Sequence, residues 1–397
     1  MAADKAAQHT SLERQAYQFI ILMGVISLLG DVTYESGRSI AGPYLATLGA
    51  SAAFVGLASG LGEFAGYALR LVSGVVADRT RLYWPLAFLG YSLLLAIPLV
   101  ALTGRWQVAA SLIILERVGK AIRSPSRDTL LSHATAQVGR GWGFGLHEAI
   151  DQIGAIIGPL IFSAALAFGG GYRLGFTVLW IPAVLCLLTL AFARRRFPTP
   201  ERLEQAAPRK MEFPHTDQIP RTFWVYSLFI LLTVGGFASF QIIAYHLGQQ
   251  NVVSPATIPL MYALAMAVDA GVALLVGRLY DRVGLRSLLT APLLTLPIPL
   301  LALTLQPGLV WVSVVLWGAV MGIHETTLRA AVADLAPQGR RASAYGLFNT
   351  VYGGAWFLSG VWMGWAYDTA LPMIGVVVVA LQVVAMLVIL RLPSEQN

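Results

Sequence analysis

Gly74-Val-Val-Ala-Asp78-Arg79 recurs as Gly277-Arg-Leu-Tyr-Asp281-Arg282, each copy at the end of a long apolar run. The two acids stand 203 residues apart in a chain of 397, so half of the sequence is repeated. A glycine followed by an acid and a base, where an apolar run stops, suits a short loop between two membrane-spanning helices. Two such loops half a chain apart predict a duplicated bundle of six helices, an all-α membrane architecture used by many transporters. Other positions keep nearly the same register: Arg127 matches Arg329, and Phe144-Gly145-Leu146 matches Tyr345-Gly346-Leu347.

Composition agrees with this. Apolar residues make up 57% of the chain and charged ones 12%, and the mean hydropathy of +0.69 lies outside the soluble globular range. A hydrocarbon layer about 30 Å thick needs about 20 apolar residues in a helix. Twelve such stretches are read, at about 17–45, 52–77, 83–103, 107–126, 142–168, 172–193, 221–248, 253–280, 286–306, 309–333, 342–366 and 370–391. A soluble enzyme would need a much larger polar shell, so that class is excluded. The organisation predicted is a tail at 1–16, six helices in 17–193, a linker at 194–220, six helices in 221–391 and a tail at 392–397.

The net charge of +7 would suit a nucleic-acid binder, but position explains it better. With an even number of spans both termini lie on one side. That side receives Arg79, Arg81, Arg123, Arg127, Arg194, Arg195, Arg196, Arg282, Arg286 and other bases, while the opposite side receives only Arg105 and Arg173. Such a bias places both termini and the linker in the cytoplasm, with the chain multi-pass in the cytoplasmic (inner) membrane. No basic run is interleaved with aromatics, so no nucleic-acid partner is expected. The single cysteine, Cys186, excludes disulfides and cysteine metal clusters. No P-loop, dinucleotide fingerprint or His-rich tract is present, so no metal, cofactor or catalytic group is assigned. A monomer is expected.

On its motifs the chain resembles the major facilitator superfamily over essentially its whole length. Gly74 to Arg81 is similar to that family's loop signature G-x-x-x-D-R-x-x-R, with Arg81 one place early, and Gly277 to Arg286 fits it more closely. Arg117, Lys120 and Ala121 resemble the fourth-span motif, with Lys for Gln and Ala for Gly. Gly154-Ala-Ile-Ile-Gly158-Pro159 resembles the fifth-span motif linked with antiport, with Phe162-Ser163 in place of its trailing glycines. The run Gly119 to Asp128 resembles bacterial permeases of mostly unassigned substrate. The resemblance implies twelve helices in two halves that rock about a central site. It also implies a gating role for Gly74, Asp78, Arg79, Gly277, Asp281 and Arg282, with each acid pairing with the positive end of a helix in the other half.

Charges within the spans point to the chemistry. Asp31, Glu35 and Arg38 share one face of the first span, Glu63, Tyr67 and Arg70 repeat the spacing in the second, and Glu116, Lys120 and Arg123 in the fourth, beside Arg117. The fifth adds His147, Glu148, Asp151 and Gln152. Each charge costs at least about 2.5–3.5 kcal/mol at mid-membrane, so these stripes should face a common wet cavity. The simplest alternative is that Glu63 with Arg70, and Glu116 with its basic neighbours, are structural ion pairs. Six acids against four bases leave a carboxyl short of a partner, which is what proton coupling requires. Asp31 and Glu35 repel one another and Arg38 relieves only one of them, so one of the two is an expected carrier.

The second half is barer. Asp269, His324 and Glu325 lie within spans, Glu325 is spaced to pair with Arg329, and Gln241, Tyr245 and Asn349 are candidates for the opposite cavity wall. Gly56, Gly60, Gly62, Ala65 and Gly66 in the second span and Gly353, Gly354, Gly360 and Gly364 in the eleventh allow close helix approach, and the resemblance implies that these two spans meet across the halves. The leading function is a secondary active transporter of a small molecule, coupled to protons and exporting by alternating access. The alternatives are an uncoupled facilitator or uptake permease for a small ion, and a non-transporting receptor or scaffold on the same fold.

Overall fold

The computed structural model describes residues 2–138, 140–205, 220–335 and 341–391, and these are helical with no strand among them. The part of the expected linker at 206–219 and the tail at 392–397 lie outside the described residues, as do the side chains of Asp78 and Asp281.

Twelve long helices run in sequence. The first half contains α1 (Ala2–Thr47), α2 (Ala52–Thr80), α3 (Tyr83–Leu102), α4 (Trp106–Val138), α5 (Arg140–Ala167) and α6 (Gly171–Arg196). The second contains α7 (Arg221–Gln249), α8 (Thr257–Val283), α9 (Gly284–Ala302), α10 (Pro307–Leu335), α11 (Arg341–Thr369) and α12 (Leu371–Ile389). Ten helical segments are long and apolar enough to cross a membrane. The other two, α4 and α11, have 33 and 29 residues, ample length, but fall short in hydropathy. In α4 the cause is charge, since Glu116, Arg117, Lys120, Arg123, Arg127 and Asp128 all belong to it. In α11 it is glycine and polar content. Helix α4 packs on α1, α2, α3 and α5, and α11 on α2, α7, α10 and α12, so a large part of each surface meets other helices and need not be apolar. The tail expected at 1–16 is helical from Ala2 as the start of α1.

The largest packing contacts between the halves are α2 on α11, α5 on α8, and α1 on the second part of α7, with smaller ones of α2 on that part of α7 and of α1 on α8. The duplication relates the first two to each other. At α2–α11 the approach is backbone to backbone. A Cβ on Gly60 would stand 2.8 Å from the carbonyl oxygen of Phe357, one on Gly364 would stand 2.5 Å from that of Ala52, and those on Gly56 and Gly360 would collide with each other's helix. Two G-x-x-x-G ridges therefore face one another, as the small residues and the family resemblance together anticipate. Asp368, at the end of α11, accepts hydrogen bonds from the first amides of α2, Ala52 N at 3.1 Å and Ala53 N at 2.8 Å. A carboxylate of one half thus caps a helix of the other, with the helix dipole adding to the attraction.

Helix α7 breaks at 236–239, where a hydrocarbon environment would penalise freed carbonyls. They are satisfied from other helices. Gly235 O accepts from Trp362 Nε1 and Ala238 O from Trp317 Nε1, both at 2.8 Å, and Phe237 O accepts from Ser359 Oγ at 2.7 Å. Ser239 then caps the second part of the helix. Cys186 is buried against Ile26 O, a packing position.

Candidate functional site

A cavity of about 170 Å³ lies between the halves, and its wall is built from polar stripes. Asp31, Tyr34, Glu35 and Arg38 come from α1, Glu63, Tyr67 and Arg70 from α2, and Arg117, Lys120, Ser124, Arg127 and Asp128 from α4. Glu148, Asp151 and Gln152 come from α5. The second half supplies Asp269 from α8, Glu325 and Arg329 from α10, and Tyr352 and Trp356 from α11. Steps of three and four residues place each set on one helix face, which is why spacing alone revealed most of the stripes. Eight acids meet six bases, and eleven of these fourteen charges come from the first half.

The charges form a network running mostly between helices. Glu63 Oε1 is shared by Arg117 Nη2 at 2.8 Å and Arg38 Nη2 at 3.2 Å, and Arg38 Nη1 also reaches Glu35 Oε2 at 3.7 Å. Lys120 Nζ stands 4.0 Å from Asp31 Oδ1. Tyr34 lies between two cations, with the Arg117 guanidinium 4.2 Å and the Lys120 ammonium 4.1 Å from its ring centre. Arg127 pairs with Asp128 at 2.8 Å and approaches Asp151 at 4.0 Å. From the other half, Tyr262 Oη donates to Glu35 Oε2 at 2.6 Å, a length typical of a hydroxyl on a carboxylate.

Several expectations need correction. Glu63 pairs across helices with Arg38 and Arg117, not with Arg70 of its own helix. Glu116 does not line the cavity: it is buried, accepts from Arg123 Nη2 at 3.0 Å, and Arg123 lies over Tyr91 of α3. Arg123 is therefore buried in an ion pair within α4. Arg127, counted among the bases of the termini side, lines the cavity because α4 continues for twelve residues past the expected end of the fourth span. Glu325 has no ion pair with Arg329 within 4.0 Å among the described residues.

His147 stands behind the wall, its Nε2 2.9 Å from Ser27 Oγ. His147, Glu148 and Asp151 bring donor atoms within 4.8 Å of one another, a spacing that metal ligands can adopt. The Arg127 guanidinium already faces Asp151 there. In the second half Asp269 and Glu325 reach the cavity, whereas Gln241, Tyr245, His324 and Asn349 do not. Tyr245 Oη donates to Ala50 O at 3.3 Å, tying α7 to the loop after α1, and Gln241 lines a small separate pocket with Ala41 and Arg117. His324 packs edge-on against Phe237 and Tyr352. Gly74, Arg79, Gly277 and Arg282, the residues for which gating is expected, fall in the last two turns of α2 and α8.

The chain matches the Major Facilitator Superfamily over residues 20–360. An uncharacterized protein of Mycobacterium tuberculosis is 43% identical over 385 residues, covering 95% of this chain and 94% of that one. An uncharacterized MFS-type transporter of Methanocaldococcus jannaschii is 26% identical over 372 residues, covering 89% of each. Among solved structures, that of the nucleoside transporter NupG superposes with a TM-score of 0.71 at 15% identity, covering 94% of this chain and 97% of that one.

Proposed function

This chain belongs to the Major Facilitator Superfamily, and we propose on that footing that it is a proton-coupled secondary transporter working by alternating access. Membership makes it a multi-pass membrane transporter of a small molecule. The observation that carries coupling is the bond from Tyr262 to Glu35. Glu35 belongs to the ionic network of the first half, yet its carboxylate holds a hydroxyl of the second. A carboxylate accepts that bond more strongly than a neutral acid does, so taking up a proton at Glu35 weakens a link between the halves. Proton binding and rocking then share one free energy, as coupling demands. In a facilitator the same contact would serve docking of the halves alone.

Export in exchange for protons is supported by the resemblance of Gly154 to Pro159 to the antiport motif. The motif's glycines have a packing role as well: a Cβ on Gly158 would stand 2.5 Å from Val32 O, beside the charged face of α1. Asp78 and Asp281 are assigned to gating at the termini end. The test is flux in vesicles reconstituted with the purified protein. An imposed pH gradient should drive accumulation of the solute, and a protonophore should abolish it. A solute that equilibrates without ever accumulating would establish the facilitator.

The excess of bases near the termini assigns that end to the cytoplasm. Cysteines introduced at positions 205 and 395 should resist an impermeant thiol reagent applied to intact cells and react after permeabilisation. Efficient labelling from outside would invert the topology.

A further inference from the structure

We propose that Arg70 and Arg329 form an anion seat for the transported solute, a small molecule bearing a carboxylate or phosphate; the assignment to transport rests on the reading above. Four of the six cavity bases already have carboxylates: Arg38, Arg117, Lys120 and Arg127. Arg70 and Arg329 have none within 4.0 Å among the described residues. The Arg70 guanidinium rests on the Tyr67 ring at 4.8 Å, and its buried Nε has no hydrogen-bond partner. Both guanidiniums line the same cavity, one from each half. Two like charges in one cavity need a counter-ion, which no paired side chain provides.

The cavity as a whole has two more acids than bases, which at first favours a cation. The difference lies in how each charge can be discharged. Glu148, Asp269 and Glu325, the cavity acids without an ion pair among the described residues, become neutral by taking a proton. A guanidinium cannot lose its charge in this way, so only an anion neutralises Arg70 and Arg329. The duplication supports the same conclusion. Arg127 and Arg329 are repeat-related, but Arg127 is followed by its partner Asp128 and Arg329 by Ala330. The second copy keeps the base without the acid.

Placement suits a transported ligand. Arg70 belongs to α2 and Arg329 to α10, so an anion held by both bridges the halves, with each planar fork offering paired donors. Tyr67 and Tyr352, also from opposite halves, meet edge to face at 5.0 Å and give the organic part an aromatic wall. Glu148 and Glu325 line the same cavity.

The test is a titration of the purified full-length protein, followed by intrinsic fluorescence, since Trp356 lines the cavity. The probes are inorganic phosphate, succinate and a panel of monocarboxylates and phosphomonoesters at constant ionic strength, with choline as the cation control. At least one anion should give a saturable response. Binding should weaken by at least about tenfold in Arg70→Gln and in Arg329→Gln. The lysine variants at the same positions should keep part of the affinity, which separates lost charge from lost fold. No saturable anion in the panel, equal binding by the glutamine variants, or a response to choline alone would overturn the assignment. The assay needs no flux, so its failure differs from failure of the transporter reading. Proton-driven movement of some solute without anion binding sinks only the seat, whereas anion binding without any movement in vesicles sinks only the transport.

Discussion

Glu35→Gln should abolish accumulation driven by a pH gradient, bringing the inside-to-outside ratio of solute to one, while exchange between equal compartments continues. Glutamine keeps the size of the side chain and an oxygen that can accept from Tyr262, so the halves still dock. What it removes is a proton site in contact with both. Exchange requires binding and rocking with no net proton movement, and so survives. Two neighbours provide the comparison. Asp31 faces Lys120 at 4.0 Å and Asp151 faces Arg127 at 4.0 Å, both looser contacts with no reach into the second half. Asp31→Asn and Asp151→Asn should therefore impair accumulation less than Glu35→Gln. Tyr262→Phe should leave the proton site but loosen its tie to closure, giving accumulation with a leak. If all three neutral carboxyl variants still concentrate solute, the acids are structural and the protein is a facilitator.

Much of this fold was legible because membrane helices obey two simple constraints. Length and hydropathy located the spans, and small residues marked α2 and α11 for close approach, while their pairing with each other came from the family resemblance. Stripes at three and four residues marked the cavity walls of α1, α2, α5 and α10. Pairing within the cavity was not legible. The sequence offers Arg70 to Glu63 along one helix, but Arg38 and Arg117 come closer from neighbouring helices, and only packing decides between them. Arg127 and Asp128 were missed for a related reason: a span ends on a hydropathy scale where charge begins, whereas a helix lining water continues through its charges. Asp368 had no signal beyond a carboxylate near a helix end, since its partners are backbone amides 316 and 315 residues away.

Gly56→Val should trap the transporter open at the end opposite the termini and reduce flux in proportion. The Cβ of any residue at 56 would enter the backbone of Gly360, and the clash cannot relax through a side chain because both partners are main chain. Overpacking of this kind costs about 1–3 kcal/mol. It falls on one state only, because α2 and α11 belong to different halves and can part without unfolding either bundle. The ratio of closed to open forms at that end should drop by roughly 5- to 150-fold. Spin labels placed on α2 and α11 near Ala53 and Trp365 should report a longer distance in the variant, with an unchanged elution profile. Gly271→Ala, on α8 where the added carbon meets nothing within 4 Å, is the neutral control. Asp78→Asn acts at the other end: if that acid holds the termini side shut, the variant populates the form open there, opposite to Gly56→Val. An unmoved distance in Gly56→Val would mean that the glycine contact serves assembly of the bundle and takes no part in the rocking. An unmoved distribution in Asp78→Asn would reduce that residue to a topology signal.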